Sequence, residues 1–249
     1  MTLETQPMDA ASPAIARRQG FRRWLQIGFY VLLFLVAWPI VMTLVYALVP
    51  PPISNVMALR LLTGNGLDKS WVSYEEMSPL LARAVIASED ARFCEHHGVD
   101  WIEFQDVVDE VFDDDEGPVR GASTIPMQTA KNLFLWDGRS FIRKGLELPV
   151  ALWMDLVWSK RRMIEVYLNI VEWAPGVYGA EAASRHHFGK PASKLSRREA
   201  ALLAAVLPNP LKRKAGKPSR RVSAIAKRIM IRMNGMSPYL TCLNSSASL

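Results

Sequence analysis

Two carboxylates at the end of an apolar run, and a third carboxylate preceded closely by two cations, are the residues here whose types and spacing could do chemistry. The stretch VIASEDARFCEHHGVDW, Val85 to Trp101, ends its apolar part in Glu89 and Asp90. At about 100° per residue, Glu89 falls at the edge of the stripe formed by Met77, Leu80, Leu81, Ala84 and Val85, and Asp90 falls on the opposite side. A half-buried glutamate has a raised pKa and can serve as acid or base, while a solvated aspartate beside it stays ionised. On this stretch alone, an ordinary contact of Glu89 with Arg92 or a backbone amide explains it equally well. In GASTIPMQTAKNLFLW, Gly121 to Trp136, helical spacing stacks Gln128, Lys131 and Asn132 near one face. That face suits donors to a sugar or phosphate, or merely a solvated polar surface. In RSFIRKGLELP, Arg143 and Lys144 stand four and three residues before Glu147. The bland reading is a surface ion pair worth at most about 1 kcal/mol. The chemical one is a cationic grip on an anionic leaving group, with Glu147 as a second carboxylate.

Other chemistries lack their context. There is no G-x-S-x-G, S-x-x-K or K-T-G, so no serine nucleophile of the penicillin-binding kind is expected. Cys94, His96 and His97, with His186 and His187, do not follow a usual zinc spacing. Cys94 lies in the acidic-pair motif and Cys242 in a tail, and both are expected as free thiols, with pairing left open for an oxidising compartment.

Something must position these groups, and the pattern is helical. Helices are expected over 74–90, 100–112, 123–134, 140–158, 160–170, 176–187, 195–206 and 219–233, with no period-2 alternation. Ser73 and Glu76 have capping-box spacing before the first, and Pro126 suits a first helical turn. DEVFDDDEGP at 109–118 is a solvated acidic loop without calcium-loop spacing. The last helix offers Val222, Ile225, Ile229 and Met233 for packing on the domain.

Half of the 249 residues are hydrophobic, and the excess is concentrated in Trp24 to Val49, an uncharged run long enough to cross a bilayer, with a kink expected at Pro39. A cleaved signal would have a shorter apolar region and a small-residue site, whereas Pro50, Pro51 and Pro52 follow here. Arg17, Arg18, Arg22 and Arg23 precede the run and the next basic residue is Arg60, which places the N-terminus in the cytoplasm and the rest outside. The expected division is a cytoplasmic N-terminus 1–23, a transmembrane helix 24–49, a linker 50–72, a catalytic domain 73–236 and a tail 237–249. The net charge of +6 suits anionic lipid or pyrophosphate. An anchor outside the cytoplasm sets nucleic acid aside.

Five ordered stretches together resemble the peptidoglycan glycosyltransferases, the family of the monofunctional biosynthetic enzymes and of the glycosyltransferase domain of bifunctional penicillin-binding proteins. They are EDARFCEHHG, GASTIPMQTAKN, RKGLE, RRMIEVYLN, and GVYGAEAASRHHFGK followed by EAALLAAVLPNP. Met127 stands where the family pattern has its first glutamine, and His187 where a tyrosine often precedes Phe-Gly-Lys. The resemblance implies a mainly α, lysozyme-like helical domain with a smaller membrane-contacting lobe behind one transmembrane helix. It implies polymerisation of lipid II into glycan strands, with inversion and loss of undecaprenyl pyrophosphate. By the same carry-over Glu89 is the general base, and Glu147 assists the departing pyrophosphate directly or through a divalent ion, Mg or Mn. Lys131, Arg143 and Lys144 hold phosphate, Ser123 and Gln128 contact sugar or phosphate, and His96 and Asn132 brace the cleft. No organic cofactor is implied. The implied partners are lipid II, the growing glycan, membrane phospholipid and other cell-wall synthesis proteins, at the cytoplasmic (inner) membrane with the catalytic domain in the periplasm. The rival readings are a glycan-cleaving enzyme such as a lytic transglycosylase, whose neutral leaving group gives no reason for cations beside Glu147, and a non-catalytic scaffold, which needs only surfaces.

Overall fold

The computed structural model describes residues 13–106, 123–138, 140–236 and 240–244, with side chains described from residue 22 onward. The chain divides into two compact units, the first ending at Met42 and the second running from Thr43. Most of the first is a single helix, α1 (Pro13–Tyr46), which passes through Pro39 and contains one membrane-length apolar stretch, Arg22–Tyr46. A single N-terminal apolar helix is the form of a single-pass anchor. It stops short of the expected Val49. From Thr43 the chain belongs to the second unit, and within that unit Trp158 Nε1 donates to Thr43 O at 2.8 Å and Arg162 donates to Tyr46 O and Val49 O, each at 3.0 Å. A cation on terminal carbonyls both satisfies them and suits the helix dipole.

The expected linker 50–72 is instead structured. Ser54 Oγ accepts from Met57 N and starts α2 (Asn55–Leu62), whose Val56 and Met57 are buried. The capping box at Ser73 and Glu76 forms, but it closes only a 3-10 turn, Tyr74–Glu76, and the following helix α3 (Pro79–Glu89) begins at a proline in its first turn. A helical segment covers 101–106; the rest of the helix expected to 112 and the acidic loop 109–118 lie outside the described residues. Then come α4 (Ile125–Phe134), α5 (Phe141–Val157) and α6 (Lys160–Ile170), each started by a Thr or Ser hydroxyl that accepts from a backbone N–H. α7 (Ala180–Phe188), α8 (Arg197–Val206), α9 (Arg220–Gly235) and a short α10 (Thr241–Asn244) follow among the described residues.

A small sheet, missed by the sequence reading, takes the place of the start of the helix expected at 176. Strands β1 (Asp68–Lys69), β2 (Glu172–Ala174) and β3 (Val177–Tyr178) lie in the order β1-β3-β2, with β1 parallel and β2 antiparallel to β3. β2 and β3 are buried at every residue, so there is no polar face to produce an alternation.

Two packed groups of helices position the site. α3 lies on α8 and α9, and α4 lies on α2, α5 and α6. The buried face of α9 is Val222, Ala226, Ile229 and Met233, so the expected packing holds with Ala226 where Ile225 was expected.

Cys94 and Cys242 form a disulfide, with Cα atoms 5.6 Å apart, which corrects the expectation of two free thiols. In the tail, Leu240 and Leu243 are buried and carry Cys242 to the loop after α3. The bridge closes a separation of 148 residues. Reduction is expected to remove roughly 2–4 kcal/mol of stability, or a fall in melting temperature of roughly 5–15 °C for a domain of this size. Thermal melting with and without reductant, and of Cys242→Ser, measures it. Equal melting after labelling has verified two free thiols contradicts the expectation.

Candidate functional site

Glu89 is the last residue of α3, and its side chain opens into a cleft of about 400 Å³. Ser88, Asp90, Arg92, Asp100, Ser123 and Arg232 are among the walls of that cleft. Glu89 is half-buried, as expected. Burial pushes its carboxyl above the usual carboxylate range, against hydrogen bonds from Gln128 and Ser88 that favour the ionised form. Gln128 Nε2 donates to Glu89 Oε2 at 3.2 Å, and Ser88 Oγ donates to Oε1 at 3.1 Å.

Asp90 is not the solvated neighbour that the helical wheel implies. The helix ends at Glu89, so the 100° step no longer applies, and Asp90 turns inward to 7 % exposure. Its Oδ1 meets His96 Nε2 at 2.8 Å, and its Oδ2 accepts from Ile125 N at 2.9 Å. Asp90 therefore ties the loop after α3 to the N-terminus of α4, where a carboxylate is favoured. His96 braces this loop, in keeping with the part expected of it.

The loop is also locked onto α5. Gly98 has φ of +77°, and a Cβ there would lie 2.8 Å from Ala151 O, so only glycine fits. Thr124 Oγ1 donates to Gly98 O at 2.7 Å, which joins α4 to the same point.

Glu147, on α5, is 2 % exposed. Arg143 Nη1 pairs with its Oε1, and Lys144 Nζ lies 3.3 Å from its Oε2. Arg143 is itself 9 % exposed, so this is no surface pair. Lys144 Nζ also donates to Ser123 Oγ at 3.0 Å. Ser123 lines the Glu89 cleft, so a continuous polar path runs from that cleft through Ser123 and Lys144 to Glu147. Burial, with the Arg143 and Lys131 charges, pushes the Lys144 ammonium down to about 8. Lys131 is likewise lowered by burial; Arg143 and Arg60 act in the same sense, while Asp137 and Glu172 oppose it.

The donor set around Glu147 does not fit a divalent cation. Both of its oxygens face fixed positive charge, and among the described residues no group of three potential metal-ligating side chains assembles.

Of the sequence candidates, Glu89, Ser123 and Gln128 gather at the cleft, and Lys131, Arg143, Lys144 and Glu147 form a cationic cluster reached through Ser123, in which Arg143 and Glu147 are buried. Asn132 does not join Gln128 and Lys131 on a donor face: its Nδ2 turns back to Gln128 O at 2.8 Å. Met127 is fully buried and belongs to the core. His187 accepts from Gly216 N at Nδ1 and meets Trp173 O at 3.2 Å through Nε2, a packing role away from the cleft. Tyr167 was missed. It lies in RRMIEVYLN, yet a fully buried tyrosine on an apolar helix face gives no sign in sequence of where its hydroxyl goes.

A family model described as Transglycosylase matches residues 56–234. Relatives named biosynthetic peptidoglycan transglycosylase include one from Agrobacterium fabrum, 53% identical over 90% of this chain and 98% of its own length. Another, from Rhizobium meliloti, is 52% identical over 77% of this chain and 80% of its own. One from Brucella suis is 46% identical over 88% and 97%.

Proposed function

The chain belongs to the transglycosylase family and is a peptidoglycan glycosyltransferase; from that premise we propose that it polymerises lipid II into glycan strands and releases undecaprenyl pyrophosphate. Glu89 is the general base in this reading. It takes the proton of the acceptor 4-hydroxyl as the oxygen attacks the anomeric carbon of the growing chain, and the bond from that carbon to pyrophosphate breaks on the opposite face. Negative charge then develops on the leaving phosphate, where Lys144, Arg143 and Lys131 supply fixed positive charge. Glu147 orients these cations in place of a metal ion.

One observation carries the reading: Lys144 contacts Glu147 on one side and Ser123 of the Glu89 cleft on the other. This supports an arrangement in which base and leaving-group cations serve one reacting centre. A glycan-cleaving enzyme has no use for it, since its leaving group is neutral.

Attachment is proposed at the inner membrane, with α1 spanning it, the N-terminus in the cytoplasm and the domain in the periplasm. The arginines before the apolar run support that orientation. So does the disulfide, since such bonds persist in oxidising compartments. α5 supports a membrane-contacting face: Phe141, Ile142 and Leu156 are 98 %, 75 % and 79 % exposed, more than a water-facing helix would leave uncovered.

The test is to incubate the purified full chain with labelled lipid II and separate the products by size. Long glycan is expected. Short cleavage products from preformed glycan, with none from lipid II, would establish the lytic reading instead. Labelled penicillin should form no covalent adduct, and an adduct would contradict the absence of a transpeptidase serine.

A further inference from the structure

Tyr167 lies on α6, wholly shielded from solvent, and its hydroxyl donates to Gln128 Oε1 at 2.9 Å. The other end of the same amide donates to Glu89 Oε2 at 3.2 Å. Both ends of the Gln128 side chain are thus committed within the protein. That leaves little of it for the sugar or phosphate contact implied by family resemblance.

The direction of this chain follows from proton counting. An ionised carboxylate can only accept, so the amide must present N–H to Glu89 and its carbonyl oxygen to Tyr167. If the amide turned over, its oxygen would face the carboxylate, and the phenol proton would lose its acceptor in a site without water access. Burial also raises the Tyr167 hydroxyl well above its ordinary range, so it keeps its proton. A phenol that must donate fixes an amide that must donate to Glu89.

We infer that Tyr167 is a positioning residue for the reaction, acting through Gln128 to hold Glu89 ionised and turned so that Oε1 receives the proton. Among the described residues the only donor at Oε1 is the Ser88 hydroxyl, which can rotate and accept, whereas Oε2 is held by an amide that cannot. The inference rests on Glu89 being the base.

The test is Tyr167→Phe, which removes one oxygen and keeps the ring. With lipid II as substrate, kcat is expected to fall roughly tenfold at unchanged KM, and the acid limb of the rate profile to move to higher pH, because the ionised carboxylate loses its fixed donor. The charged groups that Glu89 feels, Asp90 and Arg213, are unaltered in this variant, as are Arg92, Asp100 and Arg232 around the cleft. A merely structural hydroxyl would lower melting temperature and reduce the rate equally at every pH, and that pattern overturns the inference, as would a wild-type rate and acid limb. Glu89→Gln separates the two readings. If that variant is active, the base assignment fails first. If it is inactive, adding Tyr167→Phe should cost it nothing more, since the positioned group is already gone; a further tenfold loss in the double variant overturns the positioning role.

Discussion

Glu89→Gln is expected to slow glycan polymerisation by about 10²–10⁴-fold while leaving the protein folded. The substitution keeps the shape of the side chain and an oxygen for Gln128 Nε2, and removes only the capacity to take a proton. Its effect on stability has a definite sign. Burial raises the carboxyl in the folded state above its unfolded value. The protonated form is therefore the one that favours folding, a contribution present at low pH and lost as pH rises through the folded pKa. At neutral pH the ionised group weighs against the fold, so Glu89→Gln should melt no lower than wild type. A large rate loss at equal or higher melting temperature is the expected pair of results. Near wild-type polymerisation would remove Glu89 from the mechanism.

The second large effect is expected at Lys144. Lys144→Ala removes a charge-assisted contact worth roughly 1.5–3 kcal/mol to the departing phosphate, which is a rate loss of roughly ten- to a hundredfold. Arg143 is a poorer probe. It is buried against Glu147, and removing it leaves a buried carboxylate short of its partner, at a cost to folding of roughly 3–5 kcal/mol. Lys144 is more exposed and leaves Arg143 in place, so its loss should change melting little. The ammonium, lowered to about 8, is charged below that pH and neutral above it. Activity should therefore decline as pH rises through about 8. Lys144→Arg, whose charge does not titrate there, should flatten that decline even if its geometry reduces the rate. Unchanged turnover in Lys144→Ala would sink the phosphate role and favour a purely structural cluster.

How far the sequence reached depended on whether a residue's surroundings were local. Helices α4, α5, α6, α8 and α9 were legible because each begins at a hydroxyl written in adjacent residues, as Thr124, Ser140, Ser159, Ser196 and Ser219 show, whereas α7 starts after Gly179 without one and its start was misplaced. Glu89 and Glu147 were singled out from equally local patterns, together with the resemblance. Asp90 was misread because helical geometry was extended one residue past the end of α3. α2 was taken for linker because eight residues after a proline run carry a weak pattern, and what stabilises them is distant: Asn55 Nδ2 donates to Phe134 O at 2.9 Å. Tyr167 and the disulfide depend on residues brought together from far apart in the chain, and no local pattern encodes either. The burial of the Arg143–Glu147 pair was likewise invisible, since four-residue spacing is the same on a wet face and a dry one.

The bridge from Cys94 to Cys242 closes a ring from the loop after α3 to the tail, across a separation of 148 residues. Its formation therefore reports on folding: no chain can close the ring until residue 242 has been synthesised and has met residue 94 under oxidising conditions. A molecule cut before residue 242 would keep Cys94 as a free thiol in the loop after α3, and alkylation followed by mass measurement would count such molecules. The cross-link thus records, in one covalent bond, that the loop after α3 and the tail have met.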